Sequence, residues 1–170
     1  TSVCNSGLVL YSVPGNNGGS LVFDANGAYI SGYFCGSETG NNYELGISYR
    51  TNAGVLTRIV GTNVANVTEG ATALTTSLPD LGDFAVDATG NIVFTTYGNN
   101  RLRRIDKATL HVNTIAGNGT AGYALAADPA LGEYEPATGV EVYYPYRVAF
   151  TPAGHIVFSD FYNYTVREIW

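Results

Sequence analysis

"DFAVDATGNIVFTTY", residues 83–97, consists of two short apolar runs joined at a glycine. Both runs are rich in β-branched and aromatic residues, which favour strands. Asp87 to Gly90 supplies turn chemistry, and Gly90 can take the positive φ of a tight hairpin. The pattern recurs twice without gaps, as "SLVFDANGAYISGYF" (20–34) and "RVAFTPAGHIVFSDF" (147–161). The shared glycines, Gly27, Gly90 and Gly154, are spaced 63 and 64 residues apart, and each is expected to take a positive φ in its hairpin turn. A hairpin repeated at a near-constant interval predicts a repeat architecture.

Working outward, a third strand follows each hairpin: "YELGISYR" (43–50), "RLRRID" (101–106) and "TVREIW" (165–170). The first comes after a Gly-rich insertion at 36–42. A fourth strand closes two of the units, "VLTRIVG" (55–61) and "HVNTIAG" (111–117). Four short antiparallel strands per unit, repeated, is the design of a β-propeller blade. The expected fold class is all-β, a propeller segment of about three four-stranded antiparallel blades in one domain, 1–170. Its blades are placed at 20–61, 83–117 and 147–170.

Composition supports this. Thirteen Tyr, 21 Gly and no Met suit strands and turns rather than helices. No apolar run approaches the ~18–20 residues of a membrane span. The net charge is −6, with only eight Lys and Arg. Nucleic-acid binders present a positive field, so no nucleic-acid partner is expected. Arg101, Arg103, Arg104 and Lys107 lie close together, but Arg101 and Arg103 alternate with Leu102 along a strand. Gly117-Asn118-Gly119 beyond them has no helix behind it to cradle a phosphate. The chain opens "TSVCNSG", which is read as a processed product or a segment of something larger. Three Asn-x-Ser/Thr sequons, at Asn66, Asn118 and Asn163, fall in expected turns. With two cysteines and few lysines they point to a secreted, extracellular glycoprotein. Cys4 and Cys35 are the candidate disulfide, which requires their Cα atoms within about 7 Å. Bonding to other partners, or free thiols, are the alternatives.

The central unit, "FAVDATGNIVFTTYGNNRLRRID…VNTIAGNGTAGY", resembles the NHL repeat. That pattern runs strand, Asp-x-x-Gly-Asn, strand, Asn-x-Arg, strand, Ile-Ala-Gly-x-Gly. The third unit departs from it at Pro152 and His155, and the first at its insertion. The resemblance covers most of the chain and implies a propeller. Such propellers serve as interaction platforms, ligand binders and occasional enzymes. They are usually six-bladed, and this chain holds three units.

The third unit ends at Trp170 without a fourth strand, while "GLVLYSVPGNN" (7–17) parallels "LHVNTIAGNG" (110–119) as an outer strand without a blade. A strand edge at 165–170 needs a partner, and residues 7–15 can supply one. The expected assembly strands carry Leu8, Val9, Leu10, Tyr11 and Val13 on one side and Val166, Ile169 and Trp170 on the other. The donor would come from another copy, giving a two-chain propeller or a filament, or from a missing part of a larger chain.

Candidate chemistry is sparse. His111 and His155 are the two histidines and fall in different blades; a metal site needs three convergent ligands. A lyase subgroup of propellers of this type uses a set of metal-binding histidines that two residues cannot reproduce. No G-x-S-x-G nucleophile elbow occurs. Asp24 and Asp87 hold equivalent positions, with Thr151 in the third unit, and can line a channel mouth or cap their own turns. Asp160 reads as a turn acid. "EVYYPYR" (141–147) reads as packing a blade edge, with sugar or base stacking as the alternative. The expectation is a non-catalytic extracellular interaction module that assembles through strand complementation. No cofactor, metal or catalytic residue is expected. The alternatives are a carbohydrate- or protein-binding propeller, then a propeller lyase or hydrolase.

Overall fold

Each predicted hairpin closes around its glycine, in the computed structural model that describes residues 20–35, 43–61, 69–78, 80–123 and 136–170. The chain divides into two units, Thr1–Pro79 and Asp80–Trp170.

In the first unit, β1 (Leu21–Asp24), β2 (Gly27–Cys35), β3 (Tyr43–Thr51) and β4 (Leu56–Val60) form an antiparallel sheet in chain order. Gly27 is not a positive-φ residue, unlike Gly90 at φ 88 and Gly154 at φ 88. A Cβ at Gly27 would instead overlap the carbonyl oxygen of Arg50 on β3. The first hairpin therefore needs glycine for close backbone approach, which corrects the expectation of one shared turn conformation.

The second unit holds two sheets. One is β5 (Leu81–Val86), β6 (Ile92–Thr96), β7 (Arg101–Ile105) and β8 (Val112–Ala116), in chain order. The other is β9 (Pro145–Phe150), β10 (Ile156–Asp160) and β11 (Thr165–Ile169), and it has three strands among the described residues. Both inner strands begin two residues before the predicted repeat, because Leu81 pairs with Thr96 and Pro145 with Asp160. The turns Tyr97–Asn99 and Phe161–Asn163 are single 3-10 turns. They end at Asn100 and Tyr164, both left-handed with φ 54 and 55. These two sheets are an all-β, blade-like repeat down to single backbone conformations, and the fold is that of a partial β-propeller.

The two sheets pack face to face. Val93, Leu102 and Ala116 of the first meet Val148 and Phe158 of the second, with Val142 from the connection between them. The trailing face of β5–β8, with Val93 and Leu102, is thus covered by the next sheet, and Ile92, Phe94 and Ile105 on its other, leading face are buried as well. Burial on both faces overrides simple polar–apolar alternation. Arg103, expected to alternate outward against Leu102, is only 3% exposed, because its register partner is the buried Phe94 on the leading face.

Candidate functional site

One end of the blades is built from the hairpin acids. Asp87 Oδ1 accepts from the amides of Thr89 at 2.9 Å and Asn91 at 2.9 Å, and from the Thr89 hydroxyl. Its Oδ2 accepts from Asn91 Nδ2 at 2.7 Å. Asp24 Oδ1 accepts from the Asn26 amide and the Tyr49 hydroxyl, both at 2.8 Å. In the third unit Thr151 Oγ1 accepts from the His155 amide at 3.1 Å. Each of these candidate ligand-facing residues accepts hydrogen bonds from its own hairpin turn.

Burial alone would raise the Asp87 carboxyl, but hydrogen bonds from Asn91 and Thr89 outweigh it and hold the group below the usual range. A depressed folded value stabilises the protein above the ordinary carboxylate range, and that contribution is lost as pH falls through the folded value. Asp87→Asn is therefore expected to cost roughly 1–2 kcal/mol at neutral pH, as charge-assisted bonds are lost. It should also flatten the acid limb of a Tm-against-pH curve. An unchanged acid limb would refute this role. At Tyr49, desolvation and the bond to Asp24 push the hydroxyl up to about 12.

The opposite end is aromatic. Tyr144 lies at the centre of a ring cluster, 4.6 Å from Tyr97 and 4.8 Å from Tyr162 between centroids. It runs nearly parallel to Tyr146, with 6.1 Å between centroids and 15° between planes. Phe161 packs against the same group. Tyr144 takes a left-handed φ of 60, and its amide donates to Asn100 Oδ1 at 2.9 Å. Burial, then the neighbouring rings, raise its hydroxyl above the usual range. The segment 141–147 thus packs against the turns of both sheets, as its composition suggested.

Asp160 anchors this end and was missed as an important residue. It is fully buried, and Oδ2 lies 2.8 Å from Arg167 Nε and accepts from Asn163 Nδ2 at 2.8 Å. Oδ1 accepts from the Tyr143 amide at 2.6 Å. The sequence showed only an acid whose counterpart is Thr96. The signal available was Arg167, close enough in sequence to fold back on it.

At the outer margin of the two sheets lies a groove of about 370 Å³, lined by Ala116, Val140, Val142, Phe158, Ile169 and Trp170 among others. In the preceding sheet, β8 occupies the matching place beside β7. There Val112 pairs with Ile105 and is fully buried. Ile169 is the counterpart of Ile105, so the groove opens where a β8-like strand would bury its apolar side chains. The connection at 136–142, which carries no repeat signature, supplies the other wall.

The remaining predicted residues are dispersed. His155 Nδ1 lies 2.7 Å from Glu168 Oε1, and His111 is exposed at the start of the β8 segment. Among the described residues no three His, Cys, Asp or Glu side chains are grouped to hold a metal. The side-chain Nδ2 of Asn118 donates to Gly139 O at 3.2 Å. That of Asn163 donates to Gly122 O and Asp160 Oδ2, both at 2.8 Å, so the atom a glycan would use is already engaged. Val166 and Trp170 are exposed and Ile169 is half-buried. Asn66, Cys4, Leu8, Val9, Leu10, Tyr11 and Val13 lie outside the described residues, as does the Cys35 side chain. No helix among the described residues is long and apolar enough to cross a membrane.

No protein-family model and no curated protein matches the sequence. Solved structures do. A protein of unknown function from Bacteroides thetaiotaomicron superposes with a TM-score of 0.62 at 15% identity, over 84% of this chain and 32% of its own. An auxiliary nutrient binding protein from the same organism superposes with a TM-score of 0.60 at 17% identity, over 89% of this chain and 37% of its own. A virginiamycin B lyase from Staphylococcus aureus is 14% identical, with a TM-score of 0.45 over 91% of this chain and 42% of its own. The chain spans about a third of the length of the first two. At these identities the likeness concerns the fold.

Proposed function

We propose that the chain is a segment of an NHL-type propeller, a non-catalytic extracellular interaction module that assembles through strand complementation. Residues 7–15 of another copy, or an equivalent strand of a longer propeller, take beside β11 the place that β8 takes beside β7. The observation that carries this reading is the groove of about 370 Å³ at that place.

The register supports it. Gly15, Gly61 and Gly117 each end an outer-strand pattern, and the two described ones have positive φ, 106 and 84. Aligning Gly15 with Gly117 sets Leu10 on Val112, the fully buried residue opposite Ile105. Leu10 would then face Ile169 and fill the groove, at about 1.5–3 kcal/mol for a fully buried leucine. Leu10→Asp in the full chain is expected to reduce the assembly to the 18.0 kDa single chain, measured by light scattering. A wild-type protein of single-chain mass, or an assembly untouched by the substitution, would overturn strand donation between copies.

A ligand-binding reading has support of its own in the aromatic end. Near-parallel, partly exposed Tyr144 and Tyr146 offer ring faces of the kind that stack on sugars.

A further inference from the structure

We infer that a second copy of this chain docks its first sheet, β1–β4, on the trailing face of β9–β11. It does so as β9–β11 docks on the trailing face of β5–β8 within one chain. This extends the self-association reading, and rests on it, but uses sheet faces rather than a strand edge.

The internal junction defines both surfaces. On its trailing side Val93 and Leu102 are buried, Leu102 completely. Their counterparts 64 residues on are Val157, half-buried, and Val166, 76% exposed. Phe161, the counterpart of Tyr97, is 53% exposed. On the leading side of the junction, Val148 is buried and Phe150 packs against the same core. Their counterparts in the first sheet are Leu21 and Phe23, 52% and 73% exposed. The faces that correspond to the two halves of the β5–β8/β9–β11 junction thus both carry exposed apolar residues. Bare apolar surface of this kind marks an interaction site.

A polar contact carries over as well. Across the internal junction Thr95 Oγ1 accepts from the Asp83 amide at 3.0 Å and donates to Tyr146 O at 2.8 Å. Ser159 is its counterpart, and its hydroxyl accepts from the Arg147 amide at 2.9 Å, leaving the hydroxyl hydrogen for a main-chain carbonyl of the incoming sheet. The ion pair does not carry over. Asp83 faces Arg147 at 3.8 Å, whereas the new junction sets Arg147 where Asp83 stands and Ser20 where Arg147 stands. The contact between copies therefore relies on its apolar residues. Because different surfaces meet, the association is heterologous and runs head to tail.

Sedimentation velocity on the full chain tests this with Val166→Asp, Phe23→Asp and their equimolar mixture. Each variant alone has lost one half of the junction and is expected to need at least about tenfold more protein to assemble. The mixture is expected to regain a two-chain species, since one variant keeps its leading face and the other its trailing face. Circular dichroism checks folding, and Val166→Thr with Phe23→Ala repeats the test if an aspartate unfolds its sheet. A wild type that stays single, face variants that assemble like wild type, or a folded mixture that stays single would each overturn the inference. Run in parallel, Leu10→Asp separates the two readings. If it alone dissociates the assembly, strand donation stands and face docking falls. If only the face variants do so, face docking stands and strand donation falls.

Discussion

Asp160→Ala is expected to destabilise the second unit by about 3–5 kcal/mol, the cost of breaking a buried ion pair from one side. The carboxylate is fully buried, and the Arg167 side chain beside it is 18% exposed. Arg167 would stay charged in a site of low dielectric, while the Tyr143 amide and Asn163 Nδ2 would lose their acceptor. The three partners belong to the connection before β9, the turn after β10 and β11 itself. One carboxylate thus ties the third blade's turn to both its entry and its outermost described strand. Asp160→Asn keeps the shape and loses the charge, so it should fall between wild type and alanine. Urea unfolding followed by circular dichroism measures both. A loss of less than about 1 kcal/mol for alanine, the scale of an exposed pair, would refute the anchoring role.

Gly117→Ala is expected to cost about 2–5 kcal/mol, from left-handed strain and overpacking together. Gly117 has φ 84, and its amide donates to Ala137 O at 2.9 Å, which holds the backbone in place. An added Cβ would overlap the carbonyl oxygen of Asn100 and lie 2.9 Å from Val142 Cγ2. Gly154→Ala is the internal control. Its φ is 88, but nothing lies within 4 Å of an added Cβ, so it carries the strain without the overlap. The urea midpoint should therefore fall further for Gly117→Ala than for Gly154→Ala. Equal losses would mean that the close approach to Asn100 costs nothing. The result also bears on Gly15, which the assembly reading sets opposite Tyr164, the left-handed counterpart of Asn100.

The blades were legible because their signals are local. Period-two apolar runs, turn acids and glycines at near-constant spacing specify hairpins without reference to anything distant, and the observed strands lie within two residues of the predicted ones. Other expectations failed where distant backbone decides. Gly27 looked like the other turn glycines, yet its reason is the Arg50 carbonyl on β3. Arg103 looked like the polar half of an alternating strand, yet β7 is buried on both faces. Asp160 looked like a turn acid because its aligned counterpart is a threonine.

The candidate site divides along the same line. The sequence by itself determined that a strand pattern at 7–17 matches β8 and that β11 matches β7, since both are matters of repeat and register. Only the tertiary structure decided that a groove stands at that place, with a wall from 136–142 that carries no repeat. It alone decided that Leu102 is buried while Val166 is bare. Those two residues hold equivalent positions in equivalent strands, and their exposure differs because burial belongs to the neighbouring sheet, not to the residue.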